Sequence, residues 1–250
     1  MTILKFMRIV VVFLVVACTP IKTEVSNTKI IYPVESKPQY VEIVKTNNVK
    51  KSLAQQSEKQ IEILNRLEKE SLITPEIKKL RENEKNDVLC LALNMYHEAR
   101  GSSVEDQIAT TYVVFNRLKS SEYPLTLRTN EQNICNIVFD KYQFCWTNGV
   151  IKTPKEKEAW NKSQKLALEL YYNDEHRKLA NEFSLKHYVV SSMLNDPTKP
   201  KWINNRKLTV KIGKHSYMAI KEDLKDNPNN RSKVLENIQK GFKIVKGLNL

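Results

Sequence analysis

Asn94-Met95-Tyr96-His97-Glu98-Ala99-Arg100-Gly101 is the most informative stretch of this sequence, because it places a carboxylate where the local pattern calls for an apolar residue. Asp87 is a candidate N-cap before it, and Gly101 is a candidate C′ residue after it. Between them apolar residues recur at helical spacing, at Val88, Leu91, Ala92, Met95 and Ala99. At roughly 100° per residue, Glu98 falls inside this stripe, which predicts that its side chain faces the protein core.

A carboxylate that faces a protein core must be compensated, because burying an unpaired charge is costly. Two interpretations of Glu98 follow. In the first, Glu98 is the partner of a guanidinium group, for which Arg100 and Arg117 are the nearest candidates in sequence. In the second, burial keeps Glu98 partly protonated, so that it can act as a catalytic acid.

The motif Tyr-x-Glu-Ala-Arg-Gly at residues 96–101 is followed by six further motifs. They are Gln107-Ile108-Ala109, Val113-Val114-Phe115-Asn116-Arg117, Gln143-Phe144-Cys145-Trp146 with Gly149, His187-Tyr188, Pro200-x-Trp202, and Ile212-Gly213-x-His215 with Tyr217. Over about residues 86 to 220, this series resembles the SleB/CwlJ-type cell wall hydrolases, first known as spore cortex-lytic enzymes. His97 departs from the resemblance, because the family is expected to carry Gly there, and the departure leaves the fine substrate preference open.

The resemblance implies an enzyme that cleaves the MurNAc-β-1,4-GlcNAc backbone of peptidoglycan, with Glu98 as the catalytic acid and no cofactor. Glycoside cleavage normally uses two carboxylates, but only Glu98 lies in a matched motif. The SleB side of the family is assigned the lytic transglycosylase reaction, in which a single Glu is first acid and then base and a 1,6-anhydro ring forms. Two alternatives stay open: a hydrolytic muramidase with Glu105, Asp106 or Asp140 as the second carboxylate, and a non-catalytic lipoprotein that binds peptidoglycan.

The matched motifs also contain candidate substrate-binding residues. The aromatic ones could stack on sugar faces or pack in the core, and they are Tyr96, Phe144, Trp146, Tyr188 and Trp202. His187 and Tyr188 are the best candidates for orienting the substrate or Glu98. The expected partner is therefore a peptidoglycan glycan strand.

The first 18 residues have the features of an export signal. Lys5 and Arg8 precede an apolar run, 9–17, that is too short to span a bilayer. The run ends in Val15-Val16-Ala17-Cys18, which resembles a bacterial lipobox and implies cleavage before Cys18 and lipidation of its thiol. We expect an exported lipoprotein, anchored to the membrane through this lipid and facing the periplasm or cell wall. An uncleaved anchor, or cleavage at which Cys18 is incidental, is the alternative.

Composition divides the remaining chain into four segments. Residues 19–46 carry three prolines and many polar residues, which is typical of a flexible tether. Residues 47–85 predict spacer helices that either pack on the domain or form a solvated stalk. The cell wall hydrolase domain is expected at 86–222, and a basic amphipathic helix at 223–250, which packs on the domain or contacts an anionic membrane or wall polymer.

Helical patterns outnumber strand patterns in the predicted domain. Ser103 and Asp106 have the spacing of a capping box before a helix that reaches about Leu118, and Thr153-Pro154 predicts the start of a helix that reaches about Tyr172. Strands are expected at 185–190 and 208–220, with a reversal at Gly213-Lys214. The patterns predict an α+β, mainly helical fold with a small β region, preceded by the tether and spacer helix. The resemblance to the SleB/CwlJ-type hydrolases implies that this domain is similar to lysozyme and lytic transglycosylases.

The cysteines and the net charge limit which disulfides, metals and partners the protein is expected to have. With Cys18 lipidated, export makes a disulfide possible, and Cys135 with Cys145 would close the loop that carries Trp146; the alternative leaves both as thiols. Neither the four Cys nor the four His have the spacing of a zinc site, so no metal is expected. The formal charge of +13 would suit nucleic acid, but an exported chain meets anionic wall polymers and lipids instead, so no nucleic acid partner is expected.

Overall fold

The computed structural model describes residues 58–120, 133–140, 142–183, 185–199, 201–220 and 229–246. For residues 183, 202, 205–209, 219, 220, 229 and 230 it describes the backbone alone. The helices are α1 (58–69), α2 (Pro75–Lys78), α3 (Glu82–Ala99), α4 (Val104–Lys119), α5 (Ile134–Val138), α6 (Lys157–Tyr172), α7 (Asp174–Phe183) and α8 (Asn229–Val245). The strands are β1 (His187–Val190), β2 (Arg206–Ile212) and β3 (His215–Ile220), and short 3₁₀ turns cover Cys145–Thr147, Ser191–Asn195 and Lys201–Asn205. The predicted α+β, mainly helical class is confirmed.

Helix α3 lies at the centre of this arrangement. Every residue from Val88 to Tyr96 is buried, and the helix contacts α4, α5 and α6. A helix that is buried all round belongs in a protein core, so the apolar stripe seen in the sequence understates how deeply α3 lies. Glu98 therefore emerges from a core helix and not from a surface one.

Asp87 has a different role from the predicted one. Helix α3 begins at Glu82, so Asp87 lies inside the helix and the prediction that it caps α3 is wrong. Its carboxylate instead accepts the backbone N–H groups of Ile134, at 3.0 Å, and Cys135, at 3.4 Å. Burial raises the pKa of Asp87 even though these two hydrogen bonds lower it. Asp87 thus supplies acceptors for the first N–H groups of α5.

The disulfide joins Cys90 of α3 to Cys135 of α5, with Cα atoms 5.3 Å apart. The predicted pairing of Cys135 with Cys145 is therefore wrong, and so is the alternative that leaves both as thiols, because Cys135 is bonded to Cys90. Cys145 lies at the start of a 3₁₀ turn and is exposed, outside the disulfide. Packing of α5 against α3 brings together two cysteines that are 45 positions apart.

The sequence predicted where helices α4 and α6 begin, and the structure agrees for one of them. Ser103 is the N-cap of α4, and its hydroxyl accepts the N–H of Asp106 at 3.3 Å, which confirms the predicted start. Helix α6 begins at Lys157, so Thr153-Pro154 does not open it as predicted, although the helix does end at Tyr172. Trp160 anchors this helix, because its ring is buried and its indole N–H donates to the Leu72 carbonyl at 2.6 Å.

The three strands form an antiparallel sheet in the order β1-β3-β2. Strands β2 and β3 are joined at Gly213 and Lys214, where the sequence predicted a reversal. Gly213 has a φ of +55°, and a Cβ there would lie 2.6 Å from the Ser102 hydroxyl and 2.7 Å from an Asp106 carboxylate oxygen. Both the backbone and the space around it therefore require glycine.

Helices α1, α2 and α8 complete the hydrophobic core. Their buried side chains join the same apolar cluster as α3, α4 and α6, namely Ile63, Leu64, Leu67, Ile77, Val234, Ile238 and Val245. The described part of the predicted spacer thus packs on the domain, as does the C-terminal helix. None of the described helices combines the length and apolar character needed to cross a membrane. The predicted signal, Cys18 and the tether lie outside the described residues.

Candidate active site

Glu98 is the last residue but one of α3. Its side chain keeps some access to solvent, while its carboxyl group is closely surrounded by protein atoms. Burial raises the pKa of Glu98, and three neighbours partly oppose this: His215, the Tyr188 hydroxyl and Arg117. Burial has the larger effect, so Glu98 holds its proton to a higher pH than an ordinary glutamate does.

Neither arginine of the alternative interpretation forms an ion pair with Glu98. Arg100 binds Glu156 at 2.8 Å and lies over the Tyr96 ring. Arg117 donates its Nε–H to the Lys186 carbonyl at 2.7 Å, and its guanidinium carbon lies 5.0 Å from the centroid of the Phe144 ring. Within the described ranges Glu98 has no salt bridge, so the geometry favours the acid over the structural partner.

Tyr188 reaches the site from β1. Its hydroxyl is buried and makes no hydrogen bond of standard geometry within the described part of the chain. Burial raises the pKa of Tyr188 well above its ordinary value, the charge of Glu98 raises it further, and Asn94 interacts with the same hydroxyl. Tyr188 is therefore a neutral donor that faces Glu98. Its ring packs 5.0 Å from His215 and 5.4 Å from Tyr217, measured between centroids.

Asp106 and His215 form a buried pair beside Glu98. The Nδ1 of His215 lies 2.9 Å from Oδ2 of Asp106, and the Tyr217 hydroxyl donates to Oδ1 at 2.7 Å. Asp106 also accepts the backbone N–H of Lys214, at 3.1 Å, and the Ser102 hydroxyl. Burial alone would raise the pKa of Asp106, but these hydrogen bonds and the charge of His215 hold it below its ordinary value.

The two carboxyl groups of the site thus have opposite tendencies. Glu98 tends to keep its proton, whereas Asp106 is ionised and fully occupied by donors. An ionised Asp106 accepts hydrogen bonds only, so the Nδ1 of His215 carries a hydrogen and the imidazole is held in one orientation. The arrangement can supply a proton from Glu98, and His215, which lowers the pKa of Glu98, stabilises the carboxylate left behind.

Two predicted aromatic contacts are buried away from solvent. Tyr96 is 4% exposed, and its hydroxyl accepts the backbone N–H groups of Lys155 and Glu156, both at 3.1 Å. Phe144 is 3% exposed and packs between Arg117 and Tyr188, with its centroid 6.3 Å from that of Tyr188. The structure therefore does not support either ring as a sugar-stacking surface. Both support the residues around Glu98 instead.

His187 does not join Tyr188 at the site. In the β1–β3 register His187 is opposite Met218, whereas Tyr188 is opposite Tyr217. Side chains alternate between the two faces of a strand, so His187 points to the face opposite the one that carries Tyr188 and His215. His187 therefore does not face Glu98 together with Tyr188, and its predicted role in orienting the substrate stays a prediction. His215 is the histidine that shares a face of the sheet with Tyr188.

Trp146 is half-buried and packs against α3 at Asn94 and His97. Its ring stacks on His97, with centroids 4.6 Å apart and an interplanar angle of 20°, and its Nε1–H donates to Oδ1 of Asn94 at 3.2 Å. Burial, and then the charge of Arg100, lower the pKa of His97 to about 4, so the stacked imidazole is neutral near pH 7. Trp202 lies in a 3₁₀ turn, and its side chain is outside the described residues.

Asn94 and the pairing of Asp106 with His215 are features of the candidate site that the sequence did not indicate. Asn94 is one helical turn before Glu98, a spacing that could have placed both on one face of α3. His215 lies in a matched motif, so a role for it could have been inferred from the resemblance. A cavity of about 360 Å³ between α1 and residues 149–151 shares no lining residue with this site. Among the described residues no cluster of three His, Cys, Asp or Glu could hold a metal ion.

The comparison with known proteins gives one match. No curated protein and no solved structure matches the chain. The family model described as Cell Wall Hydrolase matches residues 101–218, a span that contains Asp106, Tyr188 and His215 and begins three residues after Glu98. Residues 101–218 therefore form a cell wall hydrolase domain, as the motifs in the sequence predicted, and peptidoglycan is the substrate that this family implies.

Proposed function

We propose that this protein cleaves the MurNAc-β-1,4-GlcNAc backbone of peptidoglycan as a lytic transglycosylase, with Glu98 as acid and then as base. The observation that carries the proposal is the contrast between the two carboxyl groups. Glu98 is surrounded by protein, has no ion-pair partner in the described chain and has a raised pKa, whereas Asp106 is ionised and held by donors. One carboxyl group is available for proton transfer, and one is not.

The reaction would proceed in two proton transfers at Glu98. The protonated acid donates to the glycosidic oxygen, the bond from that oxygen to C1 of MurNAc breaks, and Glu98 becomes a carboxylate. The C6 hydroxyl of the same MurNAc then attacks C1 and gives its proton to Glu98, which closes the 1,6-anhydro ring and restores the acid. No water is consumed. Arg117 and His215 would stabilise the carboxylate between the two steps, because both lower the pKa of Glu98.

The arrangement favours this reaction over hydrolysis with a second carboxylate. In hydrolysis the second carboxylate must attack C1 or activate water. Asp106 has both oxygens occupied, by His215, Tyr217, Lys214 and Ser102. Asp140 is fully buried and also has partners of its own. Among the candidates for the alternative, Glu105 alone keeps partial exposure, so it is the carboxylate whose removal distinguishes a muramidase.

The test compares Glu98→Gln with Glu105→Gln on purified sacculi. Glu98→Gln keeps the side-chain volume and removes the proton, so activity should fall by about 10²- to 10⁴-fold while the protein stays folded. Glu105→Gln should keep wild-type activity, and mass spectrometry of wild-type products should show 1,6-anhydro ends, lighter by one water than reducing ends. Reducing ends together with an inactive Glu105→Gln would establish a muramidase. A folded Glu98→Gln protein with wild-type activity would overturn the assignment.

We propose further that the mature protein is anchored to a membrane through a lipid on Cys18. The lipobox-like Val15-Val16-Ala17-Cys18 supports this proposal, and the family match agrees with an exported protein that acts on the cell wall. Cys18→Ser should block lipidation and move the protein from the membrane fraction or stall its processing, with the activity of the domain unchanged. Cys145→Ser is the control, since it removes an exposed thiol and leaves Cys18 in place. Unaltered fractionation of Cys18→Ser would contradict the proposal.

A further inference from the structure

Asn94 and Glu98 lie four positions apart on α3, so their side chains share one face of the helix. Asn94 is 1% exposed, and a buried amide has to use both its oxygen and its NH₂ group in polar contacts. The partners of this amide therefore decide what surrounds the catalytic carboxyl group.

Trp146 occupies the oxygen of that amide. Its indole N–H donates to Oδ1 of Asn94 at 3.2 Å, and an indole can only donate. The NH₂ group of Asn94 then lies on the other side of the amide, where it can only donate in turn. Asn94 lowers the pKa of Tyr188, which is the effect of a donor near the phenolic oxygen.

The Tyr188 hydroxyl follows Asn94 in the series of groups that leads from Trp146 to Glu98. With Asn94 as a donor to its oxygen, its own hydrogen is left for Glu98, and the lowering effect of Tyr188 on the pKa of Glu98 agrees with that direction. The hydroxyl is buried, yet neither contact has the geometry of a standard hydrogen bond. Catalytic hydrogen bonds are often long or poorly aligned before the substrate binds and shorten in the complex.

The position of Trp146 is itself fixed by two aromatic neighbours, of which one is next to the acid. His97, directly before Glu98 in α3, covers the indole in a stacked contact, and Phe139 packs against it with centroids 5.5 Å apart. His97 is the residue at which this sequence departs from the glycine expected in the family. A glycine could not make the stacked contact, so this way of holding Trp146 depends on His97.

From this line of contacts we infer that Trp146 is a positioning residue for Glu98, which acts through Asn94 and the Tyr188 hydroxyl, and not a surface for stacking sugars. The inference rests on the proposed function of Glu98. Charged and titratable groups face Glu98 from three other elements: Arg117 from α4, Tyr188 from β1, and His215 and Tyr217 from β3. His97 precedes it on α3, and Arg100 is the C-cap residue of that helix. Replacing Trp146 by Phe removes no charged or titratable group and keeps an aromatic ring at the position that stacks on His97.

The experiment removes the indole N–H and measures the pH dependence of kcat/KM on purified sacculi with the full chain. Trp146→Phe keeps an aromatic ring for stacking but leaves Asn94 free to turn. Without a fixed donor from Tyr188, the Glu98 carboxylate is less stabilised and its pKa rises. The alkaline limb of the profile should therefore move to higher pH, by about 0.5 to 1 unit.

Trp160→Phe is the matched control. It removes a buried indole N–H that donates to the Leu72 carbonyl at 2.6 Å, away from Glu98, so it should cost comparable stability and leave the limb in place. Asn94→Ala should move the limb in the same direction as Trp146→Phe. Combining Trp146→Phe with Tyr188→Phe should give no larger shift than Tyr188→Phe alone, because the two act on one contact.

The inference about Trp146 and the proposed function of Glu98 would be overturned by different results. A Trp146→Phe enzyme with a raised KM and an unmoved limb would make Trp146 a substrate contact and overturn the inference, and so would additive shifts in the double variant. If Trp146→Phe does not fold, Asn94→Ala serves in its place. An alkaline limb that stays at the wild-type pH in Asn94→Ala would also overturn the inference. Wild-type activity in a folded Glu98→Gln protein would instead remove the proposed function.

Discussion

Asp106 and His215 are 109 positions apart in the chain, yet Oδ2 of the first lies 2.9 Å from Nδ1 of the second, with both side chains buried. The same carboxylate accepts the backbone N–H of Lys214 in the β2–β3 turn. One side chain thus holds the first turn of α4 to the hairpin that carries His215. The orientation of His215 beside Glu98 depends on this link.

Asp106→Asn should disrupt the link with little change in shape. The amide keeps one oxygen and replaces the other by an NH₂ group, so either the Tyr217 hydroxyl or the pair of His215 and Lys214 N–H groups loses its acceptor. Breaking a buried pair of this kind costs about 3–5 kcal/mol. The free energy of unfolding, measured in urea, should fall by that amount. Activity of the folded fraction should also fall, because His215 loses its orientation. Asp174→Asn, at an exposed position in α7, is the control, and equal midpoints for the two variants would contradict the prediction.

The contribution of Asp106 should depend on pH. The pKa of Asp106 is lower in the folded chain than in the unfolded one, so its contribution is complete above the unfolded pKa of about 3.9. It is lost as the pH falls through the lower folded pKa. The difference in unfolding free energy between wild type and Asp106→Asn should be constant near neutral pH and shrink below about pH 4. A difference that grows on acidification would refute this account.

Gly213→Ala should be far more damaging than Gly149→Ala. At Gly213 the new Cβ would meet the Ser102 hydroxyl and the Asp106 carboxylate, at a φ of +55° that costs a non-glycine residue about 1–2 kcal/mol. At Gly149 a Cβ would have no atom within 4 Å. Thermal unfolding should therefore show a lower Tm for Gly213→Ala alone, with reduced activity, since Asp106 and His215 must shift. Equal Tm values would show that the turn tolerates the side chain.

The pairing of the cysteines can be tested by labelling. In the unfolded, unreduced chain Cys145 should react with a thiol reagent, whereas Cys90 and Cys135 should react only after reduction. The bond closes a loop of 45 positions, for which chain entropy predicts about 4 kcal/mol. Cys90→Ser should lower stability by up to that amount, and Cys145→Ser should not. Labelling of Cys90 before reduction would be incompatible with the observed pairing.

Local patterns in the sequence were enough to predict several elements. The Ser103 cap, the reversal at Gly213-Lys214 and the enclosed carboxyl group of Glu98 depend on spacings of a few residues and on backbone preferences. The same reasoning failed where the partner is distant. Asp87 satisfies the N–H groups of α5 and not those of its own helix, and Cys135 bonds to Cys90 and not to the nearer Cys145.

Strand residues show the same limit at the site. His187 and Tyr188 are adjacent in sequence, and no local pattern says which of them faces Glu98, because that choice is made by pairing with β3. The role of Asp106 depends on a histidine 109 positions away, so the capping-box spacing revealed its place in α4 and not its partner. Side-chain networks of this kind become visible only when the strands and helices are packed.

The helix dipoles at the end of α3 and the start of α4 affect the pKa values of the two carboxyl groups in opposite directions. Aligned peptide dipoles give a helix a partial negative charge at its C-terminal end and a partial positive charge at its N-terminal end. Glu98 lies in the last turn of α3, and Asp106 lies in the first turn of α4. Each backbone field is worth about 0.3–1 kcal/mol, or about 0.2–0.7 pKa units. The peptide backbone itself therefore favours the protonated form of Glu98 and the ionised form of Asp106, so part of the division of labour between them would persist if their neighbouring side chains were replaced.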